Sequence, residues 1–154
     1  MMDLIKPKGF IKAKIKYKDT NKVEILRFNN QVLNRGKEFL AKCLLEDSAK
    51  LHISHMLFGD GGTTNGQPKE VSPSQDKMNG ITRVKKQVVA QIHPETPTQV
   101  IFSANVCDYE GNDFPLNEMG LVLSDGTLFS LSTFADLNKT DQMEISWSWF
   151  VVLV

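Results

Sequence analysis

The sequence predicts a mainly β protein: an antiparallel β-sandwich of about seven strands with one α-helix near residues 34–46. Three observations carry this expectation. Strict apolar/polar alternation marks both ends of the chain, in FIKAKIKYKD and QMEISWSWFVVLV. Turn-forming residues recur at short intervals between them, and only one stretch has helical spacing.

The first strand sets Ile11, Ala13, Ile15 and Tyr17 against Lys12, Lys14, Lys16 and Lys18, a period of two that makes a half-buried strand. The turn TNK then reverses it into Val23 to Phe28. Next, Phe39, Leu40, Cys43 and Leu44 recur at helical spacing behind Asn34, read as the N-cap, with Cys43 expected on the buried side. Gly36 in the first turn predicts a loosely held start. LHISHMLF reads as a strand that ends where FGDGGTTNGQP begins, and residues 60–80 read as a long exposed loop. Val84 to His93 and Gln99 to Val106 form two further strands joined by PETP.

The hairpin EMGLVLSDGTLFSLSTF can be read in register. A two-residue Asp125-Gly126 turn would pair Leu121 with Ser130 and Met119 with Ser132, mixing apolar and polar side chains on one face. A three-residue Ser124-Asp125-Gly126 loop with left-handed Gly126 instead gathers Met119, Leu121, Leu123, Phe129 and Leu131 on one face and Gly120, Ser130 and Ser132 on the other, and is preferred. In the final strand Met143, Ile145, Trp147 and Trp149 alternate with Glu144, Ser146 and Ser148. It then becomes apolar on both faces, so it needs cover on both sides.

At 154 residues, 41% hydrophobic and 23% charged, the chain has the size and composition of one globular domain, residues 1–154, with residues 1–28 a basic hairpin that could serve as an assembly arm. No apolar run approaches the roughly 18 residues of a membrane helix, and MMDLIKPKGF has no signal-peptide core, so secretion by that route is not expected. Two cysteines give no disulfide framework and fit synthesis in a reducing cytoplasm. Net charge is zero, yet residues 1–50 carry twelve Lys and Arg against six Asp and Glu, while residues 94–154 carry one Lys against nine acids. Such a split can steer self-association or neutralise itself within the fold. The alternating lysines read first as a solvated face that resists aggregation, and nucleic-acid binding is not expected.

The glycine loop invites a nucleotide or calcium reading, and the chemistry refuses both. Gly61 and Gly66 have P-loop spacing, but Gln67 and Pro68 stand where the phosphate-binding lysine and the magnesium-binding hydroxyl belong. Gly62 and Thr64 replace the oxygen ligands a calcium loop needs after Asp60. The glycines are expected to supply positive φ as the chain leaves a strand. His52 and His55, an odd number apart on a strand, face opposite ways and cannot share a metal. Cys107 lacks local support as a nucleophile. Asp108, Glu110 and Asp113 form the best cation candidate, which the sequence leaves open. No acid/base pair or nucleophile can be placed, so neither catalytic residues nor a cofactor nor a metal is expected, and the chain reads as a non-enzyme.

Three segments in order, VLNRGKEFLAKCLLE, ISHMLFGDGG and NEMGLVLSDGTLFSLSTFADLNKTDQMEISWSWFVVLV, resemble the N-terminal domain of bacteriophage tail-collar fibre proteins and related small tail and baseplate proteins. Asn34 to Leu45 match the family's helix, Phe58 to Gly62 its strand end, Glu118 to Leu128 its hairpin, Lys139 its loop, and Ile145 to Val154 its last strand. The resemblance covers roughly residues 30–154 and leaves out the first 28.

It implies a structural component of a phage tail, in the collar, the baseplate or a fibre attachment. Such a part oligomerises as a ring or trimer, connects the tail to fibres, assembles in the host bacterial cytoplasm and does not insert into membranes. Subunit contacts are expected at Trp149, Phe150, Val151, Val152, Leu153 and Val154 and at Lys12, Lys14 and Lys16. The alternative is a carbohydrate-binding β-sandwich at the host surface with Trp147 and Trp149 stacking on sugars, but their alternation with polar residues favours the core.

Overall fold

In the computed structural model, which describes residues 7–45 and 51–153, the lysine-rich alternation becomes β1 (Pro7–Tyr17), with Ile11, Ala13 and Ile15 fully buried. It is followed by β2 (Val23–Asn29), β3 (Gln31–Val32), α1 (Asn34–Leu45), β4 (Ile53–Gly59), β5 (Thr63–Thr64) and β6 (Gln67–Pro68). The remaining described elements are strands: β7 (Thr82–Gln87), β8 (Val89–Ile92), β9 (Gln99–Val106), β10 (Pro115–Leu123), β11 (Leu128–Asn138) and β12 (Met143–Leu153).

Among the described residues the strands number twelve rather than about seven. The stretch read as one strand over 84–93 divides at Val88, whose N–H donates to Ser54 O at 2.9 Å before the chain turns to pair with β9. β2 likewise runs through Asn30 into β3. The expected loop over residues 60–80 contains the small β5–β6 hairpin, turned by Asn65 and Gly66 at φ 51° and 79°.

One five-stranded sheet has the order β2-β1-β12-β9-β8 and the other β3-β11-β10-β4-β7; every pairing is antiparallel. Because β2 continues into β3 and β7 into β8, the same two segments form the edges of both sheets. A shared core joins Ile11, Ile15, Trp147 and Trp149 of the first sheet to Met56, Phe58, Leu121 and Phe129 of the second. Trp147 lies 5.2 Å from the Phe58 ring and 6.3 Å from that of Phe134, centroid to centroid, so one indole bridges the sheets.

β12 is the middle strand of its sheet and not an apolar edge, with β1 and β9 on either side. The basic hairpin is equally integral: β1 pairs with β12 from Pro7–Leu153 to Tyr17–Met143.

The β10–β11 hairpin corrects the expected faces. Its loop has the anticipated three residues, with Leu123 N–H donating to Thr127 O at 2.9 Å and Gly126 at φ 91°. A bulge then intervenes: Val122 pairs with Leu128, but Leu121 pairs with Ser130 and Met119 with Ser132. Phe129 is thus the extra residue and reaches the shared core, while Leu131, opposite Gly120, joins Leu33, Val122 and Leu128 in a smaller cluster on the far side. Ser130 and Ser132 face inward and are tolerated there because their hydroxyls donate to Gln31 O at 2.8 Å and Asn29 O at 2.5 Å.

α1 packs on β11 through Phe39, edge-on to Phe129 at 6.3 Å. Gly36 is what permits this approach, since a Cβ there would collide with Phe129 O. Asn34 lies inside the helix, its N–H donating to Pro73 O, and Leu33 O accepts the first helical bond, from Lys37. Cys43, expected in the core, is exposed, and Leu44 is 86% exposed, so the apolar face of α1 is covered only along its first half.

Candidate functional site

The glycine loop is held down on the outer face of the second sheet. Asn117 Oδ1 accepts the Gly62 N–H at 2.7 Å, and its Nδ2 donates to Asp60 O, Thr63 Oγ1 and Asp136 Oδ1 at 3.3, 3.1 and 3.0 Å. The neighbouring Glu118 is fully buried; its Oε1 accepts the Gly80 N–H at 3.0 Å, while Oε2 has no partner among the described residues. Arg83 reaches across to Asp60 at 2.8 Å and covers the Phe114 ring at 5.2 Å.

These contacts give the glycines a reason other than the one expected. Gly59, Gly61 and Gly62 do not have positive φ. A Cβ on Gly61 would collide with the Gly80 backbone, and one on Gly62 with Asn117 O. Close approach selects them, not left-handed backbone. Val71 and Met78, from the same loop, cover the Leu131 cluster. Asn117, Glu118, Arg83 and Gly80 were missed as loop anchors; two polar residues before Met119 in an apolar strand were the available signal.

The acidic loop after β9 is bound by the protein's own lysines. Asp108 pairs with Lys18, Glu110 with Lys86 at 2.8 Å, and Asn112 Oδ1 accepts from Lys139 Nζ at 2.9 Å. Lys139, only 3% exposed, also donates to Asp108 O at 3.1 Å. Burial pushes its ammonium below the ordinary value, against the pull of Asp108 and Glu110. The Lys18 hydrogen bond holds Asp108 below the usual carboxylate range. Burial pushes Glu110 up, but the Lys86 and Cys107 N–H hydrogen bonds outweigh it and leave the carboxyl lowered. Asp113 is exposed, with φ 74°.

His55 Nδ1 lies 2.8 Å from Ser54 Oγ, and burial, then Lys85 and His52, lower its pKa. No group of three His, Cys, Asp or Glu among the described residues could hold a metal.

The expected contact residues divide between the two faces of β12. Trp149 and Val151 point into the core, so they are not surface groups of this chain; Trp147 and Trp149, at 1% and 0% exposure, cannot stack on a sugar from there. Phe150 and Val152 are half-buried on the outer face, Leu153 is exposed, and Val154 lies outside the described residues. Phe150 stacks on Phe10 with centroids 4.4 Å apart. Lys14 and Lys16 are exposed and Lys12 half-buried on that same outer face, where β1 sets Lys12 beside Ser148, Lys14 beside Ser146 and Lys16 beside Glu144.

Residues 26–153 match the family described as phage tail-collar fibre protein, N-terminal. The chain belongs to that family. No curated protein and no solved structure matches it. As a member of the tail-collar fibre family it is a structural protein of the phage tail. The match begins within β2, so β1 lies outside it even though β1 pairs along its length with β12. Within the match, α1 packs on β11, Asn117 and Glu118 hold the glycine loop, and Lys139 holds the loop after β9.

Proposed function

We infer that the chain is a single-domain, non-enzymatic connecting part of the tail, a two-layer β-sandwich that self-associates and joins the tail to its fibres in the collar or baseplate. It assembles in the host cytoplasm without inserting into a membrane. The observation that carries this reading is the family match over residues 26–153, together with loops whose polar groups are spent on holding the protein's own backbone. A site evolved for catalysis leaves acids, bases or nucleophiles directed at a substrate. Here Asp60, Asn117, Glu110 and Lys139 are engaged with other parts of the chain.

The outer face of the first sheet, with Lys12, Lys14, Lys16, Phe150 and Val152, is the surface available for subunit contacts, joined by Leu153, which alternation puts on the opposite side of β12 but which is exposed at the strand's end. Trp149 and Val151 support it from beneath. The direct test is labelling of tail particles with an antibody to the chain. A signal at the collar or baseplate supports the assignment; particles that are infectious and fibre-bearing without the chain overturn it.

A further inference from the structure

Among the described residues Lys18, Arg35, Arg83 and Lys86 are paired with Asp108, Asp76, Asp60 and Glu110. Among the described residues no ion pair reaches Lys12, Lys14, Lys16 or Arg27, all on the outer face of the first sheet. Lys12 lies directly opposite Arg27, a like-charge pair that costs stability when nothing neutralises it. The acid on the β12 part of that face, Glu144 opposite Lys16, is engaged by Asn105 Nδ2 at 3.0 Å. Glu24 lies opposite Ile15, on the other face.

This face is not uniformly polar. Val23 and Ile25, each 51% exposed, stand beside Lys16 and Lys14, and the Phe10–Phe150 stack lies farther along it. Apolar and aromatic groups among cations suit a protein surface with acids around an aromatic anchor better than they suit a nucleic-acid backbone. The chain carries such a surface. In the loop after β9, Tyr109 is 78% exposed, with the exposed carboxylates Asp113 in the same loop and Asp141 in the turn before β12. Lys18, Lys86 and Lys139 pin that loop from behind and leave its tip outward.

We propose that the Tyr109 loop of one copy, with Asp113 and Asp141, docks on the Lys12–Lys14–Lys16–Arg27 face of the next. The contact is head-to-face, joining different patches, so repetition gives a ring if the rotation closes. The proposal rests on the reading of the chain as a self-associating tail part, and it names the two patches that meet.

Sedimentation of the purified full chain tests it. Wild type associates in roughly 0.05 M salt and does so about tenfold more weakly in roughly 0.5 M salt. Lys12→Glu/Lys14→Glu, or Tyr109→Ser/Asp113→Lys, gives monomers with an unchanged β-type circular dichroism spectrum, and an equimolar mixture of either variant with wild type forms short capped species. Reversal of both patches in one chain, with Lys12→Glu, Lys14→Glu, Asp113→Lys and Asp141→Lys, restores association. The milder Lys14→Gln, which weakens association without abolishing it, serves if the reversals fail to fold. A wild-type chain that stays monomeric at low salt, association that none of these variants alters, or a face that retains DNA but not a second copy overturns the proposal. A monomeric chain still found in tail particles removes this contact and leaves the tail assignment standing; self-association with no place in the particle does the reverse.

Discussion

The Asn117 side chain accepts the Gly62 N–H at 2.7 Å and donates to Asp136 Oδ1 at 3.0 Å, so a single buried amide ties the glycine loop to both β10 and the end of β11. Asn117→Ala leaves the Gly62 N–H without its acceptor in a buried place. The expected loss is about 1–3 kcal/mol of unfolding free energy, read from the urea midpoint. A loss confined to a few tenths would mean that water replaces the amide.

Two glycines in the same loop should respond differently to alanine. At Gly62 the added methyl collides with the Asn117 backbone, which cannot swing aside, and the expected cost is about 3 kcal/mol. At Gly66 nothing lies within 4 Å and only the left-handed φ of 79° opposes the change, at about 1 kcal/mol. Thermal unfolding of both variants checks the order; equal effects would contradict close approach as the reason for Gly62.

Acid stability should depend on the Lys86–Glu110 pair. The Glu110 carboxyl is more acidic in the folded chain than its ordinary 4.5, so its contribution is full above that value and fades as pH falls through the lower, folded one. Lys86→Met removes the partner. Its melting temperature should therefore lie below wild type near neutral pH, with the gap narrowing as pH falls below the ordinary carboxylate value of 4.5. A gap independent of pH would point to packing of the lysine stem instead.

Trp147 and Trp149 should emit as buried indoles, blue-shifted and poorly quenched by iodide, with no response to added polysaccharide. A red-shifted, sugar-sensitive emission would revive the carbohydrate-binding alternative.

Strands with one wet face were legible because their sequence alternates: β1 and β12 follow Ile11, Ile15, Ile145 and Trp147 residue by residue. The hairpin loop was legible too, since Gly126 marks its left-handed position. The register beyond it was not, because the bulge at Phe129 depends on acceptors 99 and 103 residues away that let Ser130 and Ser132 turn inward. Helical spacing placed Cys43 and Leu44 in the core, but spacing does not say how far along a helix its neighbour extends, and α1 outruns its support on β11. The glycine loop showed the same limit. Its composition announced a special backbone, while the cause, contact with Asn117 and Gly80, lies far along the chain.

The passage of β2 into β3 at Asn30 and of β7 into β8 at Val88 has a consequence for life in a crowded particle. Followed through these bends, the strands run from β1 through β12, β9, β8–β7, β4, β10, β11 and β3–β2 back to β1. A ribbon that returns to its start offers little unpaired backbone to a neighbour. A protein packed beside it is therefore offered no long free strand to pair with and is not drawn into a fibril, so contacts with it fall to side chains that can let go as well as hold.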